Sequence, residues 1–158
     1  MRDYPLIESD QWEIHYIQMP SEARRIADRL AVDAPDPFSV GDGLTELILN
    51  GIEHGNLEIG RALKGELLAE GSWSKELEKR FSSPRYARRK VQVLTIKSSE
   101  TLTYIITDEG QGFDYRNLPA EVPIEALNGR GIKLARELAF DKVEYKGRGN
   151  IVIAQIAL

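Results

Sequence analysis

Glu46-Leu47-Ile48-Leu49-Asn50-Gly51-Ile52-Glu53-His54-Gly55-Asn56 carries two patterns at once. Leu44, Leu47, Ile48 and Ile52 form an apolar stripe at helical spacing, the face that a helix turns toward a core. Glu46, Asn50 and His54 fall at i, i+4 and i+8, on one side of the same helix and away from that stripe. Asp36-Pro37 predicts the helix start, with Asp as cap and Pro in the first turn, and Gly55-Asn56 predicts the stop. A polar row on a core-packed helix offers a carboxylate base and an amide oxygen for a hard cation such as Mg²⁺, which takes oxygen ligands. Taken alone, the row also reads as a solvated helix face, because polar surface positions are common.

Toward the N-terminus, residues 12–19 predict a strand in which Trp12, Ile14 and Tyr16 alternate with Glu13 and His15. Ala23, Ile26, Ala27 and Leu30 then mark an amphipathic helix, with Ser21 as the expected cap and Glu22 in the first turn. On the other side, residues 57–90 predict a helical insert in two pieces, one carrying Leu63, Leu67 and Leu68, the other Trp73, Leu77 and Phe81. Its second half is basic: Lys75, Lys79, Arg80, Arg85, Arg88, Arg89 and Lys90 stand against Glu76 and Glu78 alone. The Trp73/Leu77/Phe81 stripe fits either local packing or a helix-in-groove contact with a partner.

Two β-type runs, 91–97 and 102–107, flank a polar stretch at 98–101 and predict a hairpin. The second run leads into Asp108-Glu109-Gly110-Gln111-Gly112-Phe113-Asp114. A carboxylate at the end of a buried strand can accept a hydrogen bond from an exocyclic amine such as that of adenine, and glycines let a ligand approach the backbone. The same residues alone make an ordinary acidic turn. Gly129-Arg130-Gly131 opens a further helix carrying Ile132, Ala135, Leu138 and Ala139, whose free N–H groups and positive dipole end suit a phosphate. Alone it is a flexible helix start. Neither stretch spells a P-loop or a dinucleotide fingerprint. Strands at 142–146 and 151–157 complete the order, joined through Gly147-Arg148-Gly149-Asn150.

That order predicts an α+β fold: a two-layer sandwich whose mixed, mostly antiparallel sheet is covered on one face by helices. Its 158 residues suit a single domain with one core, interrupted by the helical basic insert at about 57–90. Cysteine is absent, which excludes disulfides, thiolate metal sites and cysteine nucleophiles. A net charge of -4, with no stacking aromatics among the basic residues, argues against a nucleic-acid partner. No apolar run approaches the ~20 residues of a membrane span, and the first residues lack a signal-peptide pattern, so a cytoplasmic protein is expected.

The three polar pieces in this order resemble the boxes of the Bergerat (GHKL) ATP-binding domains. Residues 46–56 resemble the N box, 108–114 the G1 box and 129–138 the G2 box, continued by Asp141-Lys142-Val143-Glu144-Tyr145. Within that superfamily, His54-Gly55-Asn56, the Gly112-Phe113-Asp114 ending and the short linker between the last two boxes look most like the bacterial anti-sigma-factor serine kinases. The resemblance implies ATP and Mg²⁺ as cofactors. It implies Glu46 as general base, Asn50 as the Mg²⁺ ligand and His54 among the nucleotide-binding residues. Asp108 is then the adenine-amine acceptor, Gly110 and Gly112 shape its pocket, and Gly129, Arg130 and Gly131 hold the phosphates. The implied reaction is phosphorylation of a serine on an anti-anti-sigma (STAS) partner, with a sigma factor as a second partner and a homodimer among the assemblies to be tested. The alternative is a nucleotide-dependent binding module without kinase turnover. The 57–90 insert is longer than in the compact anti-sigma kinases, although related regulators associated with PP2C-type phosphatases carry helical inserts there. The last strand has no Thr or Ser, where many superfamily members place a Thr near adenine. His15 and His54 are the only histidines and neither lies on a long apolar-striped helix, which excludes a self-contained histidine kinase but not a detached catalytic domain.

Overall fold

The computed structural model describes residues 11–117 and 139–158. Along the chain come β1 (Gln11–Ile17), α1 (Pro20–Leu30), α2 (Pro37–Asn50), a π-helical turn (Gly51–Asn56), α3 (Arg61–Glu70) and α4 (Trp73–Phe81). Then follow β2 (Val91–Lys97), β3 (Thr101–Thr107), a short 3₁₀ turn (Tyr115–Asn117), β4 (Lys142–Lys146) and β5 (Ile151–Ala157). The strands form one sheet in the order β1-β2-β3-β5-β4, and every neighbouring pair is antiparallel. This is the expected α+β architecture.

Period-2 alternation decides which side chains reach the helices. Val91 and Val93 of β2, Leu102, Tyr104 and Ile106 of β3, and Val152 and Ala154 of β5 are buried on the helical face. They meet Ala23, Ile26, Ala27 and Leu30 of α1 and Val40, Leu44, Leu47 and Ile48 of α2 in one apolar cluster. Each fully buried Leu or Ile there contributes about 2 kcal/mol. Tyr104 spans the layers: its ring meets Phe140 edge-on at 6.0 Å, and its hydroxyl donates to the Leu30 carbonyl at 2.8 Å.

The cap of α2 is the expected one. The Asp36 carboxylate accepts from the Ser39 N–H at 3.2 Å and from the Ser39 hydroxyl at 2.7 Å, with Pro37 following it. The cap of α1 is not. Pro20 takes the first helical position, so Met19 stands where Ser21 was expected, and the Glu22 carboxylate reaches back to the Met19 N–H at 3.0 Å. Proline's fixed φ and missing N–H favour that first position, which moves the start two residues upstream.

In β1 the alternation is real, but its apolar side turns away from the helices. Trp12, Ile14 and Tyr16 are 57%, 40% and 60% exposed, and only Ile17 of this strand reaches the core. The stripe of α4 goes the other way: Trp73, Leu77 and Phe81 pack against the core cluster, which decides for local packing over a partner groove. The helix expected from Ile132 lies outside the described residues apart from Ala139, which is buried with Phe140. Among the described residues no helix is long and apolar enough to cross a membrane.

Candidate functional site

The expected single helix from 37 to about 54 changes winding at Asn50. From Gly51 to Asn56 it widens to π geometry, and the Leu57 N–H bonds the Ile52 carbonyl five residues back at 2.9 Å. Such widening often accompanies functional positions. Here it carries His54 and Gly55 against the end of β3. A Cβ at Gly55 would overlap the Asp108 carboxylate, and one at Gly110 would overlap the Gly55 carbonyl. Helix backbone and strand-end turn therefore touch with no side chain between them.

Asp108 is held from three sides. Strand register pairs Thr107 with Ile151, so the next residues out, Asp108 and Asn150, face each other. The Asp108 N–H donates to the Asn150 carbonyl at 2.9 Å, and the Asn150 amide donates back to the Asp108 carbonyl at 3.1 Å. The Gly110 N–H donates to the Asp108 carboxylate at 2.8 Å. Burial pushes this carboxyl up to about 6 from the ordinary 3.8; the Gly110 N–H, Arg148 and Arg89 pull it down and Glu109 adds to the rise.

Two glycine contacts lock the Asp108-to-Phe113 loop to the β4–β5 turn. Gly112 has φ +77°, and a Cβ there would overlap the Arg148 carbonyl; Gly149 has φ +91°, and a Cβ there would overlap the Phe113 backbone. Both conformations favour glycine, and both approaches require it. Arg148 adds two hydrogen bonds to the Gly110 carbonyl, at 3.1 and 2.8 Å.

These contacts border an open pocket. Its lining includes Leu47, Asn50, His54, Asp108, Gly112, Phe113, Tyr145, Asn150 and Val152. Phe113 and Tyr145 meet edge-on at 4.9 Å and form an aromatic wall, apolar material of the kind that covers a planar ring. The Asn50 side-chain nitrogen is buried with no hydrogen-bond partner. The His54 Nδ1 is engaged by the Ile59 carbonyl, which in the neutral ring leaves Nε2 as the acceptor.

The structure thus brings together Asn50, His54, Asp108 and Gly112. Gly110 sits behind the pocket and positions Asp108 rather than lining the space. Glu46 is one helical turn away, in a separate hollow with Arg24, Ser39, Asp42, Gly43, Thr45 and Ala139. Gly129, Arg130 and Gly131 lie outside the described residues. The sequence reading missed Gly55, Phe113, Tyr145, Arg148, Gly149 and Asn150. Gly55, Phe113 and Tyr145 stand within the stretches that resemble the boxes, whereas for Arg148, Gly149 and Asn150 the signal is the second Gly-x-Gly, at 147–149.

The donor set fits the groups that the resemblance implies. A half-buried carboxylate at the pocket floor fits an amine donor, and the unpartnered Asn50 side-chain nitrogen fits a group that brings an acceptor. Among the described residues no three carboxylates or imidazoles gather around one point. One amide oxygen nevertheless fits Mg²⁺, which keeps waters and substrate phosphates as most of its ligands.

A family model for the histidine kinase-like ATPase domain matches residues 13–156, and the chain belongs to that family. Membership implies ATP as the ligand and some ATP-using activity. No curated protein matches the chain.

Proposed function

We propose that the chain is an ATP- and Mg²⁺-dependent protein serine/threonine kinase that acts as an anti-sigma regulator in the cytoplasm, with a STAS-domain protein as phosphoacceptor. The observation that carries the nucleotide part is Asp108: a half-buried carboxylate on the floor of an aromatic-walled pocket, set against the glycine backbone of Gly55 and Gly110. In this reading Asp108 accepts the adenine amine, and Phe113 and Tyr145 cover the ring. Asn50 lies one to two helical turns from the Glu46 hollow and would hold the cation through its amide oxygen. His54 Nε2 would accept from the nucleotide, and Gly129, Arg130 and Gly131 would carry the phosphates. Bound Mg²⁺ supplies neutralisation of phosphate charge.

Glu46 is the group assigned to the proton. Its carboxylate takes the proton of the acceptor serine as the serine oxygen bonds to the γ-phosphorus; ADP leaves with the electron pair of the broken P–O bond. The arrangement asks of the protein mainly positioning and electrostatics, as phosphoryl transfer does. That Glu46 lines its own hollow beside Arg24, Ser39 and Asp42 supports a separate approach for the acceptor. A sigma factor and a second copy of the chain remain part of the proposal as further partners.

The test is calorimetric titration of ATP, with and without Mg²⁺, on the wild type and Asp108→Ala. The expected result is saturable binding strengthened by Mg²⁺ and lost in the variant. Absence of binding to folded wild type would remove the proposal at its base. Tight binding with no phosphate transfer to any cognate STAS domain would leave the second reading, a nucleotide-dependent binding module. That reading is favoured by one observation: Lys90, at the end of the insert, donates its N–H to the Glu109 carboxylate beside Asp108 at 2.7 Å.

A further inference from the structure

The basic half of the insert is not a free positive surface. Three of its arginines are engaged by the link that follows the π-helical turn, Arg80 and Arg89 half-buried and Arg85 exposed. Arg80 Nη1 donates to the Leu57 carbonyl at 2.6 Å and to the Glu58 carbonyl at 3.3 Å. Arg85 and Arg89 pair with the Glu58 carboxylate at 2.9 and 3.4 Å. Their guanidinium groups, with that of Arg80, surround the Tyr86 ring at 5.4 to 5.6 Å. Burial alone would raise the Glu58 carboxyl, but the Tyr86 hydroxyl, Arg89 and Arg85 together hold it below the ordinary range. Glu58 itself sits at φ +54°, a left-handed conformation that a glutamate adopts only when its surroundings hold it there.

From this knot a continuous path runs to the pocket floor. Arg89 Nη1 also donates to the Asn56 carbonyl at 2.9 Å. Asn56 is 2% exposed, and its side-chain oxygen accepts the Glu109 N–H at 2.7 Å. The Glu109 carboxylate in turn accepts the Lys90 N–H at 2.7 Å. Glu109 is the residue between Asp108 and Gly110. The end of the insert therefore holds the Asp108-to-Phe113 loop at Glu109, as Arg148 holds it at Gly110.

We propose that Arg89 is a positioning residue of the nucleotide pocket and that through it the α3–α4 insert and nucleotide binding are coupled. The proposal rests on the nucleotide reading above and assigns that site a means of regulation. Coupling is reciprocal: nucleotide in the pocket tightens the insert, and whatever restrains the insert raises nucleotide affinity by the same factor.

Arg89→Ala and Arg89→Lys test it. Arg89→Ala is expected to weaken ATP binding about tenfold. It should also raise the midpoint at which the Asp108 carboxyl titrates, followed by carbon NMR without nucleotide, while Arg89→Lys keeps the charge and restores most of that midpoint. ATP should slow amide exchange across residues 61–90 in the wild type and not in Arg89→Ala. Wild-type ATP affinity with an unmoved Asp108 midpoint in Arg89→Ala would overturn the coupling. Should the wild type bind no nucleotide, the functional reading fails and the coupling with it, while the Asp108 midpoint still shows whether Arg89 acts on the pocket floor. If Arg89→Ala does not fold, Glu58→Gln, which releases the same arginine, is read by the same two measurements.

Discussion

Replacing Asp108 by asparagine should make the nucleotide-free protein more stable and the pocket less able to bind. The folded carboxyl titrates at about 6 against an ordinary 3.8, chiefly because burial opposes its charge. Between these values the folded chain holds a proton that the unfolded chain releases. Stability is therefore highest below pH 4 as far as this group is concerned, falls as pH rises through 6, and stays reduced above it. The gap corresponds to about 3 kcal/mol at neutral pH. Asp108 is only half-buried by surface area, so about 1–3 kcal/mol is the range to expect. Asparagine keeps the shape and can still accept the Gly110 N–H, but it carries no charge to bury. Urea unfolding of wild type and Asp108→Asn at steps from pH 4 to 7.5 measures the difference curve, in which other titrating groups cancel. The variant should gain about 1–3 kcal/mol at pH 7.5 and nothing near pH 4. Its ATP affinity should drop about 10- to 100-fold, the scale of a charge-assisted hydrogen bond. An Asp108→Asn protein less stable than wild type at pH 7.5, with a flat difference curve, would refute the burial argument.

Three further outcomes follow from the same geometry. Wild-type ATP affinity should weaken as pH falls below about 6, since the adenine amine needs the ionised Asp108; Arg148, Arg89, Glu109 and His54 face the same carboxyl or pocket, so calorimetry at pH 5 and 7.5 is compared with the flat profile expected of Asp108→Asn. Gly55→Ala should abolish nucleotide binding and cost about 1–3 kcal/mol of stability, because the added methyl overlaps the Asp108 carboxylate; binding as tight as wild type would mean the π-helical turn is not fixed where the contacts put it. Glu46→Gln should leave ATP binding unchanged and cut phosphate transfer about 10²–10⁴-fold in a single-turnover assay, as loss of a general base does.

Much of the framework could be read from local signals. Asp36-Pro37 announced α2, the polar stretch at 98–101 announced the hairpin, and the Asp108-x-Gly110-x-Gly112 run announced a strand end opening into a close-approach turn. What escaped was non-local. Alternation in β1 identifies a strand but not which side is inward; at a sheet edge the answer is set by the neighbour, and Trp12, Ile14 and Tyr16 point outward. The positive count in the insert gives charge but not partners, and Arg80, Arg85 and Arg89 find theirs at Glu58 and the carbonyls of residues 56–58. The π-helical turn has no sequence signature of its own, and it coincides with the non-local contact between Gly55 and the Asp108 turn.

The pairing of two Gly-x-Gly runs explains why the glycine spacing was legible while the pocket wall was not. Gly112 and Gly149 each accept the backbone of the other loop at a place where no side chain fits, so the two loops define one another. Either run alone predicts a turn. Only the antiparallel register of β3 and β5, which sets Thr107 opposite Ile151, turns two separate turns into one site. The side chains that line it, Phe113, Tyr145 and Asn150, need no special spacing once the backbones are locked; Phe113 and Tyr145 fall inside box-like stretches without a pattern that gives them a role, and Asn150 falls outside them. The same lock ties the backbone of half-buried Asp108 to Asn150, and its carboxylate accepts the Gly110 N–H. A ligand that supplies an N–H at that point finds the acceptor already in place.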